Sequence, residues 1–116
     1  MAIHVKCKNT ANDLYESIFE LAEKQGGIDT WIVDYEGDFT HTPPQWREKA
    51  WLRRSTSTNK NELVFGIIGR KDMKLSKNIY AVYHGRFVEM LLAHFDVEID
   101  EIKVSSLLEK GIDFVP

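Results

Sequence analysis

Four histidines, one cysteine and 18 Asp or Glu are the groups in this 116-residue chain with which chemistry could be done, and their spacing limits which chemistry. Ile3, Val5 and Cys7 alternate with His4, Lys6 and Lys8, the period-two pattern of a strand with one buried face. Residues three apart on a strand face opposite sides, so His4 and Cys7 do not form a local nucleophile pair, and Cys7 reads as a small core thiol. His84 and His94 fall in one helical stretch, about 80° apart in projection and about 15 Å apart along the axis, too far to share a metal ion. They read as packed histidines at an interface. Asp34, Glu36 and Asp38 alternate as in a calcium loop, but glycine comes at the fourth position and Gln45 stands where a bidentate glutamate belongs. A solvated turn is the better reading. Gly66-Ile67-Ile68-Gly69 has the spacing of an RNA-clamping loop, yet its two isoleucines want burial, so the glycines read as strand or bulge positions. With no phosphate-cradling loop, nucleophile elbow or zinc-protease helix, the sequence assigns no catalytic residue, metal or cofactor.

Charge is sorted along the chain. Residues 47–86 hold ten Lys or Arg against three acids, whereas residues 1–46 hold three bases against eight acids and residues 87–116 two against seven, within a net charge of −3. Such sorting suits either an anionic partner for the middle or the meeting of basic and acidic protein surfaces. Trp51, Arg53, Arg54, Arg70, Lys71, Lys74 and Lys77 form the candidate anion-binding set, with Trp46 and Trp51 as stacking surfaces for single-stranded nucleic acid. The negative total and an alternation that splits neighbouring cations between two sheet faces weigh against it. The sequence therefore favours a protein-interaction or adaptor module. Nucleic-acid binding through residues 51–77 stands second and a small enzyme third.

The elements that would position these residues fit one domain, 1–116, since a chain of this length can bury a continuous core. At 43% hydrophobic and 28% charged residues the composition lies in the globular range. A single cysteine excludes an internal disulfide and suits a reducing compartment. No apolar leader and no stretch near the roughly 20 apolar residues of a membrane span is visible, so the expected location is cytoplasmic, without membrane contact.

Strand one is expected over 2–8 and a helix over 11–25, capped by Thr10 or Asn12 and ended by Gly26-Gly27. A β-branched and aromatic run predicts strand two over 28–35, before a turn at 36–38. Pro43-Pro44 makes 42–48 a turn or a single helical turn, with Trp46 folding back as a lid. Residues 50–55 and 63–68 read as a hairpin around a polar tip. Ser76 caps a second helix reaching Phe95; a strand over 78–83 is the alternative. A last strand lies within 98–105, and the tail 106–116 is surface-bound or frayed. The class is α+β, two helices on one face of a mainly antiparallel sheet. The order β-α-β-β-β-α-β resembles the ferredoxin-like pattern with an extra hairpin strand, a likeness of element order that implies no function.

The second helix has too much apolar surface for one sheet. Twelve of the seventeen residues over 79–95 are hydrophobic, and Asn78, Gly85, Arg86 and Glu89 share the one polar arc. Ala81, Val88, Leu92 and Phe95 exceed the needed stripe on one side, Ile79 and Met90 on the other. A second subunit is the expected cover. The candidate interface is Ile79, Tyr80, Tyr83, His84, Phe87, Val88, Leu91, Leu92 and Phe95, which makes a homo-oligomer the expected partner arrangement, beside a possible protein partner.

Overall fold

Alternation along β1 (Ile3–Cys7) buries Ile3, Val5 and Cys7 and turns His4 and Lys6 to the other face, as the sequence predicts. The computed structural model describes residues 1–115, so Pro116, the end of the expected domain, lies outside the described residues. Thr10 caps α1 (Ala11–Glu23), its hydroxyl accepting from the Asp13 amide at 3.2 Å, and the helix buries Ala11, Leu14 and Ile18. It stops two residues short of the expected end. A Cβ at Gly27 would sit 2.1 Å from the Leu21 carbonyl oxygen, so the chain folds back against the last turn where only glycine fits.

The expected strand over 28–35 is shorter, β2 (Trp31–Val33), and pairs with an unexpected one, β3 (Phe39–His41). Between them Asp34 closes the turn, its carboxylate accepting from the amides of Glu36 at 2.9 Å and Asp38 at 3.0 Å. The turn at 43–47 forms through Pro43, whose carbonyl accepts from Trp46 and Arg47. The Tyr83 hydroxyl donates to the Trp46 carbonyl, and Trp46 packs half-buried on the core as a lid. β4 (Ala50–Ser55) and β5 (Glu62–Gly69) make the hairpin, with Leu52 opposite Ile67. Ser76 caps α2 (Lys77–Phe95), accepting from the Ile79 amide at 3.1 Å, so 78–83 is helix. A single 3-10 turn, Asp96–Glu98, leads into β6 (Ile99–Val104).

The six strands form one sheet in the order β2-β3-β4-β5-β1-β6, every neighbouring pair antiparallel. The class is α+β. The element order gains β3, and the six-strand order is not that of a simple ferredoxin-like sheet. Both helices meet the same face: the Phe65 ring lies 6.3 Å from Tyr15 of α1 and 4.9 Å from Phe87 of α2, and Phe39 touches both as well. Ring contacts of this kind, edge-to-face in all but the tilted Tyr15–Phe65 pair, add to the large apolar burial of each ring.

The tail departs from the frayed ending considered above. Where β1 begins, β5 still needs a neighbour, and the tail supplies it: the Phe114 amide donates to the Ile67 carbonyl, the Gly69 amide to the Phe114 carbonyl, and the Ile67 amide to the buried Asp113 carboxylate, each at 2.9 Å. A Cβ at Gly66 would lie 1.9 Å from the Ile112 carbonyl oxygen. That glycine is therefore a point of close backbone crossing.

Candidate interaction surface

Folding of α2 consumes most of the apolar arc that the sequence leaves uncovered. Tyr83, Phe87 and Leu91 are fully buried, and Ile79, His84, Met90 and Phe95 nearly so, all within their own chain. Six members of the expected interface, Ile79, Tyr83, His84, Phe87, Leu91 and Phe95, thus lie inside the protomer. The physical reason is cover from elements besides the central sheet. Trp31 of β2 meets Tyr83 and Phe87 edge-on at 5.5 and 5.1 Å, and the Trp46 turn is hydrogen-bonded over Tyr83.

What remains open is a narrower flank. Tyr80 and Val88 are half-buried, Ala81 and Gly85 exposed, and Leu92 stands 50% exposed. With Val104 of β6, 46% exposed, and Ser105 and Ser106 beyond it, Tyr80, Ala81, Gly85 and Val88 line an apolar groove of about 440 Å³. His84 is the wall between groove and core. Its Nδ1 lies 2.6 Å from the Tyr80 carbonyl, which can only accept, so that nitrogen carries the proton and Nε2 is left a buried acceptor without a partner among the described residues. Burial holds its pKa below the usual imidazole value. His94, exposed near the far end of α2, is not brought to it.

β6 forms one border of the sheet. Val104 pairs with Ile3 and Ile102 with Val5, and the Ser105 amide donates to the Ala2 carbonyl. Antiparallel ladders alternate in hydrogen bonding, so the amides and carbonyls of Ile102 and Val104 point away from β1, to the open edge. Ile102 and Val104 lie on the helix side. Glu101 and Lys103, opposite Lys6 and His4, lie on the other side, exposed and without an ion-pair partner among the described residues. Sequence reasoning weighed this strand only as part of an acidic surface that the basic hairpin could meet, not for its edge. The Glu101-Ile102-Lys103-Val104 alternation signals a strand with two unlike faces but not that the strand lies at a border.

The basic set is divided. Arg53 makes a two-pronged contact with Asp38, 2.8 and 2.6 Å, and approaches Glu36; hydrogen bonding to Asp38 raises its pKa further. Arg54, one residue on, faces the other way, donating to Asn12 and lying 5.0 Å over the Tyr15 ring. Arg70 is held by Asp72 at 2.9 and 2.7 Å. Trp51, Arg53, Arg70 and Lys71 do line one groove, of about 540 Å³, but together with Asp34, Glu36, Asp38, Glu48 and Asp72. Three cations face five carboxylates there. Lys74 and Lys77 are exposed outside it.

Cys7 and His4 lie on opposite faces as expected; burial pushes the thiol pKa up, and the His4 ring sits 2.8 Å from Glu109. Among the described residues no group of three His, Cys, Asp or Glu side chains could hold a metal ion, and no helix is long and apolar enough to cross a membrane. Compared with known proteins, the chain matches no family model, no curated protein and no solved structure.

Proposed function

We propose that this chain is a non-enzymatic protein-interaction module, an adaptor that self-associates, with its binding surface on the open flank of α2 and the adjoining edge of β6. One observation carries the reading: an apolar groove lies directly beside a strand edge where the outward donors and acceptors of Ile102 and Val104 have no partner among the described residues. The groove supplies apolar area, worth about 25 cal/mol per Å² once covered, and the edge supplies directional hydrogen bonds. Neither alone is unusual in a monomer. Side by side they match what a docking partner needs.

The basic region lends less to a nucleic-acid role, because Arg53 and Arg70 are neutralised within the chain and Arg54 faces away from them. A buried lone thiol suits a reducing compartment, and the reading takes the protein to act in the cytoplasm. Size-exclusion chromatography with light scattering tests the proposal. A mass above 13.4 kDa that returns to 13.4 kDa in Leu92→Asp supports it. A clean 13.4 kDa species at high micromolar concentration removes self-association, and a mass indifferent to Leu92→Asp removes the surface.

A further inference from the structure

The side chains of β6 select a partner for that edge. We propose that the partner is a second copy of the chain, joined β6 to β6 in antiparallel register about a twofold axis through Ile102, so that Glu101 of each copy faces Lys103 of the other. This rests on the interaction surface just proposed and specifies its occupant.

Three observations lead to it. First, the amide and carbonyl of Ile102 both point outward, so a twofold at Ile102 lets the two residues exchange both hydrogen bonds, the closely bonded pair of an antiparallel ladder. Second, a twofold perpendicular to the sheet keeps each residue on its own face, and residues directly opposite must share a face. Glu101 and Lys103 share the face away from the helices, and in this register they fall opposite one another twice. Third, both charges are exposed and lack an ion-pair partner in their own chain among the described residues. The neighbouring allowed registers are worse. Centring on Glu101 sets that carboxylate against its own copy, and centring on Lys103 does the same with two ammonium groups, and like charges directly opposite destabilise a strand pair.

On the helix side the same axis brings the two α2 flanks together. Val88 and Val104 of each copy then close the groove from both sides, with Leu92 exposed one turn beyond Val88, making one isologous apolar patch over a continuous sheet. The charged outer face sets the register and the apolar inner face supplies the burial.

The test is charge reversal read by sedimentation equilibrium of the full chain. Glu101→Lys and Lys103→Glu each set like charges opposite twice, and each should weaken self-association by about tenfold or more. The double reversal should restore the homodimer to within about threefold of the natural chain, and mixing the two single variants should give a heterodimer of comparable strength. Val104→Pro removes an outward amide that no neighbour among the described residues uses, and should also weaken pairing while circular dichroism stays unchanged. If Leu92→Asp abolishes self-association but the reversals and their mixture leave it unaltered, the register is overturned while the surface survives. A natural chain that remains at 13.4 kDa at high concentration overturns both.

Discussion

The sheet has two borders, and they are finished differently. At one, β2 is only three residues long, its turn is closed by Asp34, and Asp38 is gripped by Arg53. Trp31 and Phe39 beneath it are buried in the aromatic core. An edge of only three residues offers little ladder for strand addition, one way in which proteins discourage it. At the other border β6 runs for six residues, with the backbone groups of Ile102 and Val104 facing outward, Glu101 and Lys103 without an ion-pair partner among the described residues, and an apolar groove beside it. One border is short and leads into a tight turn, and the other is longer and lies beside an apolar groove. On the proposed reading, that contrast is what directs a partner to β6 and away from β2.

The comparison breaks most completely if its shared foundation is removed. Phe87 is fully buried and touches Trp31, Phe39 and Phe65, so it ties α2 to both the β2–β3 border and the centre. Phe87→Ala should cost about 3–5 kcal/mol, read as a large drop in the urea midpoint with both borders lost together. Gly66→Ala comes next. The added methyl would meet the Ile112 backbone, so the tail must lift from β5, at about 1–3 kcal/mol, with new protease cleavage within residues 105–115. An unchanged midpoint and cleavage pattern would show that the tail does not seal β5 in solution.

At the closed border, Arg53→Ala strands the Asp38 carboxylate, whose side chain is 7% exposed. Because the Arg53 side chain is itself 46% exposed, solvent already screens the pair, and a loss of about 1 kcal/mol is expected instead of the larger penalty of a buried ion pair. At the open border the test is a neighbouring pair of leucines. Leu91 is fully buried and Leu92 half exposed, so Leu91→Asp should unfold the chain, while Leu92→Asp should leave the monomer within about 0.5 kcal/mol and act on self-association alone. Equal stability losses in the two would place Leu92 in the core and erase the difference between the borders.

Local pattern revealed those parts of the fold that local interactions decide. β1 was legible from alternation, α2 from its three and four residue spacing and Ser76, and the hairpin from its polar tip. β3 was not, because Phe39, Thr40 and His41 are all buried, so no alternation survives, and the strand exists only through pairing with β2 and β4. The docking of the tail was hidden for a like reason: its partners, Ile67 and Gly69, are more than forty residues away in sequence. Periodicity measured how wide the apolar arc of α2 is but not what would cover it, which made the expected interface too broad. The β6 edge was invisible until strand order was known, since nothing in Glu101-Ile102-Lys103-Val104 says that one side of the strand has no neighbour.

The smallest effect concerns protons, and it distinguishes the two borders from within. His41 sits under the closed border, stacked 4.6 Å from Trp31 with Nδ1 donating to the Thr30 carbonyl; His84 sits under the open groove. Burial lowers both pKa values below the 6.5 of a free imidazole. The unfolded chain therefore takes up these protons at higher pH than the folded chain does. Above 6.5 both rings are neutral in either state and the full stability is present; as the pH falls through 6.5 toward the folded values, the unfolded state binds more protons and stability declines. Glu109, held low by hydrogen bonds from Ser105 and then His4, adds a loss of the same sign at more acid pH. The urea midpoint should thus hold level above pH 6.5 and fall from there toward pH 5, and a flat profile would contradict the buried, neutral state of both rings. Replacing one ring at a time separates the contributions. His84→Gln should remove part of the slope and leave the Trp31 side untouched, whereas His41→Gln should remove the part that belongs to the closed border. If covering the open groove buries His84 further, the slope assigned to His84 should steepen with protein concentration while that of His41 stays constant, because only one of the two borders changes its surroundings on assembly.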